Sequence, residues 1–214
     1  MPGLGTKSVG GNSMTLLAML RHGETQWSRE RRIQGRTDIP LCDEGRASIR
    51  QSILPREVQG MRVVSSPLAR CVETAALLGF EEAAREPRLV EMRWGEWEGR
   101  QLEDLRAALG EAMRANEDLG LDFTPPGGES PRQVLERVSG WLAETAATGE
   151  PTLAIAHRGV IRAVFCAASG WDMRGRPPLK LDWNAIHIFR LDAAGRPSLY
   201  RMNVPLAEAS GVAS

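Results

Sequence analysis

Three short apolar runs, Thr15–Leu20, Arg62–Ser65 and Thr152–Ala156, leave this chain few folds to choose from. Each is too short for a membrane span and is continuously apolar rather than alternating, the pattern of a strand buried on both faces in a parallel sheet. Thr15–Leu20 also lacks a small-residue cleavage site before Arg21, which argues against a signal peptide. Helical signals fill the intervals. Asp43 can cap a helix running to about Glu57, and Ser66-Pro67 supplies an N-cap and a first-turn proline for a helix to about Leu78. Leu102–Glu117 has helical composition, and Ser130-Pro131-Arg132-Gln133 is a capping box ahead of an apolar face of Val134, Leu135, Val138 and Leu142. Val160–Ala168 gives another helix, Ala185–Arg190 a further strand and Ser198–Asn203 an edge strand. Strands alternating with helices predict an α/β fold, a three-layer α/β/α sandwich with a mostly parallel central sheet and right-handed crossovers.

A chain of 214 residues fits one domain, expected over residues 14–205. The Gly-rich residues 1–13 read as a disordered extension with Met14 as the natural start, and 206–214 as a flexible tail. Basic and acidic residues are equal at 27 each, so nothing favours nucleic acid or an anionic membrane as partner. Lys7 and Lys180 are the only lysines; the remaining basic residues are arginines, whose planar forks suit carboxylate and phosphate, although genomic base composition explains such a bias equally well. Cys42, Cys71 and Cys166 are odd in number, far apart and without metal-ligand spacing, which predicts reduced thiols in a cytoplasmic protein.

In open α/β sheets ligands bind beyond the carboxyl ends of the strands. Arg21-His22-Gly23-Glu24-Thr25 follows the first run, Ser65-Ser66-Pro67-Leu68-Ala69-Arg70 ends and follows the second, and His157-Arg158-Gly159 follows the third. Two of the three histidines and two arginines therefore meet at one sheet edge. Phosphoryl transfer needs a nucleophile, fixed positive charge around the equatorial oxygens and a proton for the leaving oxygen. Imidazole serves as nucleophile near neutral pH, arginine forks bond two phosphate oxygens at once, and backbone N–H groups at a loop-to-helix junction such as Gly159 add donors.

Together with Gly95-Glu96-Trp97-Glu98-Gly99 and Gly127-Gly128-Glu129-Ser130, these motifs closely resemble the histidine phosphatase superfamily over about Met14 to Arg190. The superfamily includes phosphoglycerate mutases and the phosphatase domain of fructose bisphosphatase-type enzymes. The resemblance implies a phosphomonoester phosphatase for small phosphorylated metabolites, in which His22 is the phosphorylated nucleophile. Arg21, Arg70 and His157 would complete the phosphate pocket, with Gly159 beside them. Glu91 would be the general acid that later activates water. Gln34 and Gly35 lie where the family's loop touches the substrate tail. Many relatives carry Asn at the position of Ser28, so a shorter side chain with one donor stands there. No metal or other cofactor is expected.

Each residue also has a plainer reading. His22 or His157 alone could be a satisfied core histidine and Arg70 a surface charge, but their joint placement argues otherwise. Glu96 and Glu98 compete with Glu91 for the acid role. His187 reads as structural, Trp94 and Trp97 as packing, Gly128-Glu129-Ser130 as a helix start and Asn184 as a turn residue. A mutase that returns the phosphoryl group to substrate is the alternative activity, and a non-catalytic binding protein a third. The short, lysine-free segment Arg100–Pro126, with six acidic residues, favours hydrolysis and would disfavour an anionic substrate tail if its acids faced the pocket. Oligomeric state stays open, a dimer included.

Overall fold

The structure is a computed structural model and describes residues 14–208; the expected extension at residues 1–13 lies outside them. Its central sheet has six strands: β1 (Thr15–Arg21), β3 (Arg62–Ser65), β4 (Ala84–Arg85), β5 (Thr152–Ala156), β6 (Ala185–Leu191) and β7 (Pro197–Pro205). Their spatial order is β4-β3-β5-β1-β6-β7, and only β6 runs against its neighbours. Short β2 (Ser52–Ile53) and β8 (Ala207–Glu208) form a separate antiparallel pair. Part of the segment expected as a tail is thus paired, while 209–214 lie outside the described residues.

The helices are α1 (Gln26–Arg29), α2 (Asp43–Arg50), α3 (Ala69–Leu77), α4 (Leu102–Leu109), α5 (Glu111–Glu117), α6 (Pro131–Thr148) and α7 (Arg158–Ser169). Alternation along β1 separates two cores. Leu17 and Met19 pack with Val134, Val138 and Leu142 of α6 and with Ile161, Val164 and Phe165 of α7. Ala18 and Leu20 face the other side with Leu153, Ile186, Ile188 and Val58. On that same side of the sheet's far half, Ile155 packs on Cys71 and Ala75 of α3. The result is the expected three-layer arrangement around a mostly parallel sheet.

Several element boundaries differ from expectation. Cys42 rather than Asp43 caps α2, its sulfur accepting the Gly45 N–H at 3.4 Å. That helix stops at Arg50 instead of about Glu57, because Ser52–Ile53 pairs with Ala207–Glu208 as a strand, and Pro55 bars helical backbone at Leu54. Helix α3 starts at Ala69 rather than Pro67, since the Asp38 carboxylate accepts the Ala69 N–H at 2.8 Å and frees Ser66 for another role. Gly110, with φ of 51°, breaks the expected 102–117 helix into α4 and α5. The capping box of Ser130 and Gln133 forms as read from the sequence.

Parallel register places the site. Arg21 pairs with Ala156 and Ser65 with Ile155, so the chain leaves all three strands at one level. The His22 N–H donates to Ala156 O at 3.1 Å, and the Ser66 N–H to Ile155 O at 2.9 Å.

Candidate active site

A cleft of about 1220 Å³ opens at this edge, with Arg21, His22, Ser28, Gln34, Glu91, Arg158 and Gly159 among its lining residues. The His22 Nδ1–H donates to Gly23 O at 2.7 Å. A carbonyl can only accept, so this contact fixes the tautomer and leaves Nε2 with its lone pair. Burial first, then the charges of Arg21 and Arg70, holds the imidazole pKa well below its usual value, which keeps the ring neutral.

His157 is fully buried, its ring centroid 5.2 Å from that of His22. Its Nε2 lies 2.8 Å from Ser66 Oγ and 3.4 Å from Cys71 Sγ. Burial, followed by Arg70 and His22, pushes its pKa down as well. Arg70 is wholly enclosed; its guanidinium donates to Gly35 O at 2.8 Å and Thr37 O at 3.1 Å. Among the described residues, Arg21 Nε and Arg70 Nε are buried donors without an acceptor. Buried orphan donors are costly, and an anion within reach of either would offset that cost.

Glu91 is buried, and its carboxyl group accepts from Met92 N at 2.7 Å and Gly159 N at 3.2 Å. Burial outweighs these bonds and raises its pKa, favouring the protonated form. A Cβ on Gly159 would sit 2.3 Å from Glu91 Oε1, so any larger residue there would displace that carboxyl group. The Gly159 N–H, expected to meet phosphate, is thus committed to Glu91.

Of the expected loop residues, Gly35 touches Arg70 through its carbonyl. Gln34 donates to Thr25 Oγ1 and keeps a buried, unpartnered Oε1. The Ser28 hydroxyl belongs to the capping box of α1: it donates to Thr25 O at 2.9 Å and accepts from Thr25 N at 2.9 Å. Gly35 lies against Glu98, whose Oε1 would be 1.9 Å from an added Cβ. Glu98 accepts from Arg36 N at 3.0 Å, Thr37 N at 2.9 Å, Thr37 Oγ1 at 2.5 Å and Trp94 N at 3.2 Å. Against the upward push of burial, the Thr37 hydroxyl and these backbone donors hold its pKa below the usual range. Glu96 is exposed. Environment thereby sets Glu91 and Glu98 apart, the one raised by burial and the other lowered by its donors.

Sequence reasoning missed Glu98 as a loop anchor, Ser66 as the partner of His157, and Thr74, whose hydroxyl accepts the Gly23 N–H at 2.9 Å. It also missed Arg137, which donates to Val90 O at 2.7 Å and steadies the backbone before Glu91. The one available signal was the second Glu of Gly-Glu-Trp-Glu-Gly. Replacing Glu98 with Gln should loosen the carbonyls that hold Arg70 and lower kcat/KM by about 10–100-fold, as misplacements of about 1 Å do. Steady-state kinetics across pH tests this: the high-pH limb should persist, and its disappearance would make Glu98 the acid instead.

His187 behaves as read. It is buried, accepts the Asn203 N–H at 3.3 Å, and burial lowers its pKa to about 4. Trp97 is buried and Trp94 packs on Phe123. The three cysteines are free. Among the described residues no group of three or more His, Cys, Asp or Glu could hold a metal, and no helix is long and apolar enough to cross a membrane.

A neutral histidine, a buried carboxyl whose pKa is raised and enclosed arginine charge at the carboxyl edge of a parallel sheet suit a hydrolase of phosphate esters that works through histidine. The chain belongs to the histidine phosphatase superfamily (branch 1), whose model matches residues 17–205. It is 33% identical over 180 residues to a glucosyl-3-phosphoglycerate phosphatase of Mycolicibacterium vanbaalenii, covering 76% of this chain and 78% of that one. A 2,3-bisphosphoglycerate-dependent phosphoglycerate mutase of Methylobacterium radiotolerans is 30% identical, with 83% and 90% covered. Among solved structures, a mycobacterial glucosyl-3-phosphoglycerate phosphatase in complex with VO3 superposes with a TM-score of 0.71 at 27% identity, covering 89% of this chain and 99% of that one.

Proposed function

We propose that the protein is a cytoplasmic phosphomonoester phosphatase for small phosphorylated metabolites that works through phosphohistidine at His22. The observation that carries this reading is the lone pair on His22 Nε2, in a cleft shared with a carboxyl whose pKa burial raises. In the first step Nε2 attacks phosphorus, the bond to the leaving oxygen breaks, and Glu91 gives that oxygen its proton. In the second, water attacks phosphorus while ionised Glu91 takes a proton from it; the N–P bond breaks and phosphate leaves. Arg21, Arg70 and His157 stabilise charge on the equatorial oxygens. Gly159 keeps Glu91 in place, and Gln34 lines the route to the leaving group. Free thiols suit a reducing compartment.

The mutase relative makes phosphoryl return to substrate the competing reading. Hydrolysis is favoured because the acceptor needs only a path for water, and the cleft wall includes exposed Glu24 and Arg158. Incubation with 3-phosphoglycerate and 2,3-bisphosphoglycerate separates the two. Phosphate release should outpace formation of 2-phosphoglycerate; the reverse order would establish the mutase.

A further inference from the structure

Glu91 stands on a stretch of chain, residues 91–94, with no regular secondary structure, so its backbone has no helix or ladder partners of its own. Leu89 and Met92 anchor this part of the chain in the core through their side chains. Its polar side is taken by α6 and the turn before it. Arg137, two turns into α6, donates to Arg88 O and, at 2.7 Å, to Val90 O. Its Nε donates to Glu129 Oε1 at 2.8 Å. The other oxygen of Glu129 accepts from Arg93 N at 3.3 Å, and the Glu129 N–H donates to Arg93 O at 2.8 Å. One ion pair therefore grips the chain on both sides of Glu91, at Arg88 and Val90 before it and at Arg93 after it. Arg36 joins from the loop that holds Arg70, its Nε donating to Glu91 O and its Nη2 to Glu129 Oε2, both at 3.4 Å.

The pair is sheltered, with side-chain exposure of 18% for Arg137 and 13% for Glu129. A charge-assisted fork in such a place holds its geometry better than a pair in open solvent. The approach is close as well: a Cβ on Gly128 would sit 2.7 Å from Arg93 O, so glycine there lets Glu129 reach the chain around Glu91. The motif Gly127-Gly128-Glu129-Ser130, read from sequence as a helix start, thus carries two devices. Ser130 caps α6, and Glu129 joins that helix to the segment bearing the acid.

Neither Glu129 nor Arg137 is among the residues lining the cleft. Arg137 still acts on Glu91 through its charge, after burial, the Met92 and Gly159 N–H groups and Arg70. Arg21 and Arg158 are further cations coupled to that carboxyl.

We propose that Glu129 and Arg137 form a positioning unit for the proton donor, which acts through Glu91 by clamping the chain on either side of it. This rests on Glu91 being the acid of the phosphatase reading, and the test keeps the two separable.

In Glu129→Gln and Arg137→Gln, kcat/KM for glycerol 3-phosphate should fall by about 10–100-fold, the scale of a misplaced catalytic group. For p-nitrophenyl phosphate, whose leaving oxygen needs less protonation, the fall should stay within about threefold. Arg137→Lys keeps the charge but lacks a fork to span two carbonyls and a carboxylate, and should recover part of the loss. Placed in a Glu91→Gln background, either glutamine substitution should cost less than about twofold more on glycerol 3-phosphate, because the group it positions is already gone. A further tenfold loss there, or equal losses on the two substrates, would overturn the proposal. Amide hydrogen exchange reads the clamp without turnover. Gly159 lies in the first turn of α7, where its N–H has no helical acceptor, so its protection reports the bond to Glu91. In Arg137→Gln that amide should exchange at least about tenfold faster, while the His22 and Ser66 amides, bonded to β5, keep their rates. Unchanged protection at Gly159, or equal loss at all three amides, would overturn the proposal. Absence of phosphate release by wild type would instead overturn the phosphatase, with exchange at Gly159 still deciding the clamp.

Discussion

Replacing His22 with Ala should lower turnover by at least about 10⁴-fold, the scale of losing a covalent nucleophile. Among the described residues, the neighbouring groups are not placed to substitute. His157 has no solvent exposure, and its ring is enclosed by Ser66 and Cys71, whose thiol is itself unreactive because burial raises its pKa. Gly23 O holds the Nδ1 proton, so the N–P bond should form at Nε2. Rapid quench of the wild-type enzyme with radiolabelled substrate should trap an acid-labile, base-stable phosphoprotein, and the variant should show neither label nor turnover. Near-normal turnover by the variant would sink the assignment.

Glu91→Gln should lower the rate on alkyl phosphates by about 10²–10⁴-fold, the usual contribution of a positioned acid. Aryl phosphates, whose leaving oxygen needs less protonation, should lose far less. The pH dependence follows from the two opposite shifts. His22 must be neutral, and its lowered pKa means that activity falls only well on the acid side of the usual histidine range. Glu91 must be protonated for the first step, and its raised pKa extends the active range upward before activity declines. The wild-type profile should therefore be bell-shaped, and the variant should lose the high-pH limb. Equal losses on alkyl and aryl substrates would show that Glu91 is not the proton donor.

Much of the site was legible because it lies where strands end. Apolar runs fix strand positions, parallel pairing aligns their carboxyl ends, and whatever follows each run is delivered to the same edge. His22, Arg70 and His157 needed no more than that. Helix limits were less legible, since competing caps such as Cys42 and Asp38 are chosen by contacts with distant segments.

By itself the sequence determined the class of fold, the sheet edge proposed for the chemistry and the residues that meet there, because periodicity and punctuation are local properties of the chain. Tertiary structure decided which partner each polar group takes. It committed the Gly159 N–H to Glu91, the Ser28 hydroxyl to a helix cap and the Glu98 carboxylate to the loop that holds Arg70. It also raised one glutamate, lowered another and tied a third, Glu129, to Arg137. Desolvation and hydrogen-bond geometry depend on groups far apart in the chain, and no local pattern encodes them.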